Sequence, residues 1–335
     1  MIKHDLTIFH TTLNQFLCTL MLTLCAITTC AVTTAQATPT QQLLSDLNNS
    51  VLRVKVILPN GKLGLGSAVV IAKNEVITNC HVVTDATNIA VIVNGEPHAA
   101  TAIKADWHHD LCMLTVENLQ APIVKLGASK DLEYEESVFT IGYPDETKQP
   151  VSTFGAVKGL FPMDDSVIIR ASSSFRLGAS GGGAFDDAGN LVGIITLKSR
   201  GDTAYFYYMP VEWVQALMNK PAQSLGAKSE KPFWAMDVKQ RPYFMQVVQP
   251  YLTQEWKTLL NVATQWVQTE PNTAESWFYL AAAEYATKDY SHAEEHFKKV
   301  LALNHSHSQA IDYLEKLAEK MEKPDVNSNK VALLN

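Results

Sequence analysis

The chain has 335 residues, of which 47% are hydrophobic and 18% are charged. This composition is typical of a globular protein and excludes an intrinsically disordered one, and the length suits two domains. The formal net charge is -7, and no segment is rich in lysine and arginine. Such a chain lacks the basic surface that nucleic-acid backbones attract, so we expect protein or peptide partners and no nucleic acid.

The first 37 residues differ from the rest of the chain. A short basic start leads into an apolar run, residues 16–32, and Ala35-Gln36-Ala37 then shows the small-x-small pattern of a cleavage site. The run is shorter than the roughly 20 residues that a spanning helix needs. We therefore predict a signal peptide over residues 1–37, export to the periplasm or the medium of a bacterial cell, and no stable membrane span after cleavage. A retained membrane anchor and a lipoprotein acylated at Cys30 are the alternatives.

From Val51 to Met218 the chain alternates short β-branched segments with turns. The segments VLRVKVIL, GSAVVIA, EVITNC, IAVIV and LVGIIT are separated by Asn-Gly, Gly or Pro signals, and this pattern predicts an all-β domain. Apolar residues three apart in Val211–Asn219 predict a short helix that closes the domain. Residues 221–232 lose apolar periodicity, which indicates a linker.

Three motifs inside the β region carry chemistry. His81 lies in ITNCHVV, Asp110 in HHDLCML and Ser180 in GASGGG. A serine hydroxyl is a poor nucleophile unless a neighbouring base takes its proton and an acid orients that base. We predict that Ser180 is the nucleophile, His81 the base and Asp110 the acid. Asp106 is the alternative acid, but the strand alternation that follows Asp110 does not follow it.

The glycines around Ser180 have their own physical reason. A turn this tight favours residues without a Cβ atom, and it can direct backbone N–H groups toward one point. We predict that the N–H groups of Gly178 and Ser180 form an oxyanion hole. Gly181 and Gly182 are expected to let the following strand pass close under the site.

Residues 47 to 219 resemble the chymotrypsin superfamily of serine proteases, and most closely its bacterial HtrA-like members. GSAVVIAKNEVITNCHVV matches the histidine segment of that family, and GASGGGAFDDAGNLVGIIT matches its serine segment. The resemblance implies two β-barrels with a cleft between them, and an endopeptidase that hydrolyses peptide bonds without a cofactor. Two positions depart from the family pattern, because Ala179 replaces a polar residue and Gly183 replaces a proline. Helical repeats also stand where this family usually carries a PDZ domain.

The resemblance further implies a specificity pocket near Ser174 and the strand Thr196-Leu197-Lys198. Thr196 would lie behind the triad, and Lys198 at the pocket mouth could attract an acidic side chain. The alternative for Lys198, a surface lysine on an exposed loop, is the interpretation that we favour.

Two cysteines, Cys80 and Cys112, remain after removal of the predicted signal peptide. One lies beside His81 and the other beside Asp110, so a working triad would bring them near each other. A disulfide there would clamp the segment that bears the base to the strand that bears the acid, and it would persist after export. Two small buried thiols are the alternative.

Histidine pairs elsewhere do not predict a metal site. The pair at positions 292 and 296 lacks the glutamate that must follow the first histidine of an HExxH motif. The pairs His108-His109 and His305/His307 have no visible further ligand set. We therefore expect no metal and no cofactor.

The C-terminal third changes to helical periodicity. Residues 274–305 resemble one tetratricopeptide repeat (TPR), with apolar residues at the offsets that pack two antiparallel helices. A helix over Leu252–Val267 is expected to end a degenerate repeat before it, and Gln309–Met321 to form a helix after it. Because fewer than three repeats rarely bury enough surface to stand alone, we expect these helices to dock on the β domain or on residues 233–248.

The predicted fold is thus an all-β double-barrel, chymotrypsin-like protease domain followed by an all-α, TPR-like helical domain. The signal peptide covers residues 1–37, the protease domain 38–220, the linker 221–232 and the helical domain 233–325. The predicted function is that of an exported serine endopeptidase whose helical domain binds a substrate or a protein partner. The alternative is a latent or inactive protease-fold protein that binds a partner through its helices.

Overall fold

The computed structural model describes residues 39–199, 204–226 and 230–322. The expected signal peptide and the last three residues of the expected helical domain lie outside these ranges. The described residues all belong to one compact unit. Within the described ranges, no helix is both long enough and apolar enough to span a bilayer.

The first barrel has six antiparallel strands. A helix, α1 (Gln41–Asn48), precedes them. The strands are β1 (Val51–Ile57), β2 (Leu63–Ala72), β3 (Glu75–Asn79), β4 (Asn88–Val93), β5 (Glu96–Asp106) and β6 (Leu111–Val116), with the one-turn helix α2 (Cys80–Val83) after β3. They close in the order β1-β2-β3-β6-β5-β4. Small β-branched side chains such as Val54, Val70 and Val91 fill its interior, because inward and outward positions alternate along each strand.

The second barrel repeats the architecture of the first. Its strands are β7 (Ser137–Gly142), β8 (Val151–Met163), β9 (Ser166–Ala171), β10 (Gly183–Asp186), β11 (Leu191–Lys198) and β12 (Phe206–Pro210). They close in the order β10-β11-β12-β9-β8-β7, and α3 (Val211–Met218) follows. The predicted double barrel and its closing helix are confirmed.

The C-terminal region is helical, as predicted. Short 3₁₀ turns at Phe233–Ala235 and Val238–Gln240 lead into α4 (Tyr243–Gln246), α5 (Val248–Leu252), α6 (Trp256–Thr269), α7 (Ala274–Ala286), α8 (Tyr290–Leu303) and α9 (Ser308–Glu322). The predicted helix from Leu252 to Val267 is wrong at its start. Gln254 has a φ of 58°, a left-handed conformation that interrupts a helix, so α5 ends before it and α6 begins after it. The TPR assignment stays a prediction.

The helices pack on the second barrel, as the small number of repeats led us to expect. Phe161 of β8 stacks on Phe244 of α4 with 4.4 Å between ring centroids, and it lies 6.4 Å from the ring of Trp266 in α6. The buried Arg170 of β9 donates a hydrogen bond of 2.9 Å to the hydroxyl of Tyr279 in α7. The second barrel and the helices therefore share one hydrophobic core.

The segment predicted as a linker is held on the first barrel. Gln223 and Ile103 of β5 exchange backbone hydrogen bonds of 2.7 and 3.0 Å, and the N–H of Phe233 donates to the carbonyl of His108 at 3.0 Å. The linker stays a prediction, and its residue Gln223 and the adjoining Phe233 are anchored because their backbones pair with the barrel.

Candidate active site

His81 and Asp110 meet beside the end of β3. His81 is the second residue of α2, two residues beyond the end of β3, and Asp110 lies in the turn before β6. His81 Nδ1 is 2.6 Å from Asp110 Oδ2, and the backbone N–H of His81 donates to Oδ1 at 2.8 Å. Because an ionised carboxylate only accepts hydrogen bonds, this contact favours the tautomer that carries its proton on Nδ1 and leaves Nε2 as an acceptor.

Asp110 is buried, and its backbone fixes the direction of its carboxylate. Its φ of 60° is left-handed, a conformation that aspartate tolerates better than most residues. Its carbonyl accepts hydrogen bonds from the Asn79 side chain at 3.0 Å and from the N–H of Cys80 at 3.1 Å. Asp110 is thus locked to the segment that carries His81.

Cys80 and Cys112 form a disulfide, with 4.8 Å between their Cα atoms. Cys112 pairs with Thr78 of β3, and Thr78 lies two residues before Cys80 in the chain. The bridge therefore joins the start of α2, at the residue before His81, to β6, at the second residue after Asp110.

Ser180 lies on the turn before β10, and its hydroxyl donates to the carbonyl of Thr196 at 3.5 Å. Among the described residues, its side chain makes no hydrogen bond to His81. Thr196 is buried, and its hydroxyl accepts a hydrogen bond of 2.9 Å from Asn79, which also binds the carbonyl of Asp110. Asn79 and Thr196 therefore connect the two barrels behind the three expected triad residues. Sequence reasoning missed Asn79, whose one signal is its place two residues before His81.

Ser67 of β2 holds the serine turn from the first barrel. Its N–H donates to the carbonyl of Ser180 at 2.8 Å, and its hydroxyl donates to the carbonyl of Gly178 at 2.9 Å. The same hydroxyl accepts a hydrogen bond of 2.8 Å from the N–H of Tyr143. Sequence reasoning missed Ser67 as well, although it stands in the segment that matches the histidine motif.

The N–H groups expected to form the oxyanion hole are oriented by the carbonyls on the same peptide units. The carbonyl of Leu177 accepts from the N–H of Asp145 at 2.6 Å, and that of Ala179 accepts from Gly182 at 2.9 Å. In a trans peptide the N–H points opposite the C=O. The N–H groups of Gly178 and Ser180 therefore point away from these donors, and neither meets a protein acceptor within the described ranges.

Two glycines of the turn are required by its geometry. Gly178 has a φ of 89°, and a Cβ atom there would lie 2.7 Å from the carbonyl oxygen of Tyr143. Gly181 has a φ of 87°, and its Cβ would collide with the carbonyl oxygen of Ser67. A larger residue at Gly181 would thus push the serine turn away from the first barrel, and one at Gly178 would push it away from the segment that follows β7.

A cavity of about 220 Å³ lies beside the serine turn. Ser174 lines it, as expected, together with Thr140, Gly142, Pro144, Val151, Thr153, Phe175, Arg176, Ala179 and Ile195. Thr196 and Lys198 do not line this cavity, and the specificity pocket near Ser174, Thr196 and Lys198 stays a prediction. Thr196 is buried against Asn79, and Lys198 is exposed at the end of β11, in line with the interpretation of Lys198 that the sequence favoured.

One cluster in the described part of the chain has the spacing of metal ligands. The nitrogen and oxygen atoms of His108, His109 and Asp164 that could bind an ion lie within 4.8 Å of one another, and sequence reasoning did not place Asp164 beside the two histidines. The groups are engaged with each other, because His109 contacts Asp106 and Asp164 at 3.0 Å each. Burial alone would lower the pKa of His109, but these two carboxylates outweigh it and raise the pKa.

Part of the chain is similar to known peptidases. Residues 66–194 match the family model of the trypsin-like peptidase domain. Two curated relatives, from Pseudomonas putida (strain GB-1) and Pseudomonas fulva (strain 12-X), carry the name probable periplasmic serine endoprotease DegP-like. The first is 35% identical over 159 residues, which cover 44% of this chain and 33% of the relative. The second is 37% identical over 156 residues, which cover 44% of this chain and 32% of the relative. The chain spans about a third of the length of these relatives.

Solved structures give the same type of match. The serine endoprotease from Yersinia pestis is 25% identical with a TM-score of 0.49, covering 54% of this chain and 66% of its own. The HtrA-type protease AlgW with a tripeptide is 26% identical with a TM-score of 0.47, covering 52% and 61%. Residues 66–194 are thus similar to the trypsin-like peptidase domain, and part of the chain is similar to DegP-like serine endoproteases.

Proposed function

We propose that the chain is an exported serine endopeptidase that hydrolyses peptide bonds through an acyl-enzyme on Ser180. The observation that carries this proposal is the contact of 2.6 Å between His81 Nδ1 and the buried Asp110 carboxylate. This pair leaves Nε2 as the base. It lies in a trypsin-like domain whose serine turn leaves two N–H groups without a protein acceptor in the described chain.

The chemistry follows from the role of each group. Ser180 Oγ turns from the Thr196 carbonyl to His81, transfers its proton to Nε2 and attacks the carbonyl carbon of the substrate. The N–H groups of Gly178 and Ser180 stabilise the oxyanion, and Asp110 stabilises the imidazolium. His81 then protonates the leaving amine as the peptide C–N bond breaks. In the second half, His81 takes a proton from water, the hydroxide attacks the ester, and Ser180 regains its proton.

Export and a partner for the helices belong to the same proposal. The name of the curated relatives includes the word periplasmic, and a disulfide such as Cys80–Cys112 persists in oxidising compartments. We assign the signal peptide to residues 1–37, the protease domain to 38–220, and the helical domain, as a TPR-like binding region, to 233–325. The substrates are proteins or peptides.

A fluorophosphonate probe, which reacts with activated serines, tests the enzyme. We expect the folded mature protein to be labelled and Ser180→Ala to remain unlabelled. Asp110→Asn should reduce the rate constant of labelling by about 10⁴-fold, because the histidine then loses the tautomer that it needs. Labelling that persists in Ser180→Ala, or no labelling of the wild type in the presence of peptide substrates, would contradict the proposal.

The second candidate is a latent or inactive protease-fold protein that binds a partner. The observation in its favour is the Ser180 hydroxyl, which bonds to Thr196 and makes no recorded bond to His81 in the described structure. A cleavage profile on a proteome-derived peptide library separates the two candidates. Cleavage that depends on Ser180 supports the protease, whereas binding of a partner without any cleavage supports the second candidate.

A further inference from the structure

The carboxylate of Asp110 has a third donor besides the two from His81. The indole Nε1–H of Trp234 donates to Asp110 Oδ2 at 3.2 Å, across a separation of 124 residues. Oδ2 is the same oxygen that accepts from His81 Nδ1. A buried carboxylate is costly unless its oxygens are bonded, and within the described ranges Trp234 is its one side-chain donor outside His81.

The ring of Trp234 also contacts the base. The rings of Trp234 and His81 lie edge to face, with centroids 5.7 Å apart and an angle of 89° between their planes. His81 is one-third exposed as a side chain, so this ring limits the directions in which the imidazole can turn. The indole therefore fixes both members of the pair, one by a hydrogen bond and the other by packing.

Trp234 is held in place by its neighbours in the chain. Phe233 is 2% exposed, its N–H donates to the carbonyl of His108, and the rings of these two residues lie 5.9 Å apart. On the other side, Arg241 Nε donates to the carbonyl of Met236 at 2.8 Å, which ties the turn to the start of the helical region. The segment thus bridges the turn that bears Asp110 and the helices.

We infer that Trp234 is a positioning residue for the His81–Asp110 pair, supplied to the first barrel by the C-terminal helical region. The inference rests on the proposed function. The indole N–H holds Oδ2 in line with Nδ1, and the ring holds the imidazole over the site. Because α4 stacks on Phe161 of the second barrel through Phe244, a change in how the helices dock would withdraw the indole and loosen the base. The helical region is therefore part of the catalytic machinery of the protease domain, in addition to any partner that it binds.

The variant Trp234→Phe tests this inference, because it keeps an aromatic ring and removes the N–H. We expect kcat for a cleaved peptide, and the rate constant of fluorophosphonate labelling, to fall about tenfold with KM little changed. The matched control is Trp277→Phe. It removes an indole N–H that donates to the carbonyl of Pro271 at 2.8 Å, in α7 and away from the first barrel. Equal melting temperatures of wild type and Trp234→Phe exclude a folding defect.

Proton NMR gives a readout that does not depend on turnover. The proton held between His81 Nδ1 and Asp110 should resonate far downfield in the wild type, move in Trp234→Phe and stay in place in Trp277→Phe. A Trp234→Phe protein with wild-type kcat and an unmoved downfield proton overturns the positioning role and leaves the proposed function standing. A wild type without any serine labelling overturns the proposed function, and the movement of the proton then still decides whether Trp234 positions the pair.

Discussion

At the scale of single residues, buried polar side chains place the reacting groups. Three of these side chains, Ser67, Asn79 and Thr196, are buried. Each forms a hydrogen bond to a residue in a distant segment of the chain. A buried hydroxyl or amide is costly unless it is bonded, so such residues adopt one arrangement and fix their partners with it. The motif residues alone would not bring the serine turn and the His81–Asp110 pair to one place.

Ser67→Ala tests this role. The variant loses the hydroxyl that binds the carbonyl of Gly178 and the N–H of Tyr143, so the peptide that follows Gly178 is no longer fixed. We expect the free energy of unfolding to fall by about 1–3 kcal/mol and kcat to fall by up to about 10²-fold, as on loss of an oxyanion-hole donor. Denaturant unfolding and peptide hydrolysis measure the two effects.

Ser172→Ala is the matched control for Ser67→Ala. The Ser172 hydroxyl also accepts from a backbone N–H and donates to a carbonyl, both of Ala156, but within the described ranges it makes no hydrogen bond to the serine turn. If both variants reduced kcat equally, the effect of Ser67 would be a general one and its role at the turn would be rejected.

At the scale of elements, the disulfide joins α2 to β6. The barrel strands are held by ladders of hydrogen bonds, whereas the single turn of α2 is too short to be stable by itself. The bridge between Cys80 and Cys112 attaches this turn to the strand that follows Asp110. It therefore maintains the contact between two residues that belong to different elements.

Replacement of both cysteines, Cys80→Ala with Cys112→Ala, should reduce the free energy of unfolding by roughly 2–4 kcal/mol. Without the bridge, the unfolded chain between these two positions gains conformational entropy. Urea unfolding measures this loss, and peptide hydrolysis should slow as α2 loosens. A reductant should affect the wild type in the same direction and leave the double variant unchanged. Two free thiols in denatured, alkylated mature protein would show that the bridge is not formed.

At the scale of the whole molecule, the helices and the second barrel are packed as one body. His307, at the start of α9, stacks on Phe278 of α7 at 4.8 Å and on Tyr134 before β7 at 5.0 Å. Burial lowers the pKa of His307 to about 4, and the nearby Arg170 contributes in the same direction. This contact between helices and barrel therefore requires a neutral imidazole.

The pH dependence of stability follows from that pKa. Near neutral pH His307 is uncharged in both states, but the unfolded chain binds a proton below about pH 6.5 and the folded one only near pH 4. The contribution of His307 to the free energy of unfolding is thus fully present above pH 6.5 and is lost as the pH falls toward 4. The loss from this one group is roughly 3 kcal/mol. Denaturant unfolding at several pH values should show a shallower loss in His307→Gln than in the wild type. The exposed neighbour provides the control, since His305→Gln should leave the slope unchanged; an unchanged slope in His307→Gln would refute the assignment.

The sequence by itself determined the elements and the chemical groups. Strand alternation, helical spacing and the three motifs around His81, Asp110 and Ser180 are local patterns, and local patterns specify local structure and residue type. The helix start at Trp256 escaped prediction because the left-handed Gln254 leaves the apolar spacing unbroken.

The tertiary structure decided the rest. Ser67 meets Gly178 over 111 residues and Trp234 meets Asp110 over 124, and contacts across such separations have no periodicity in the sequence.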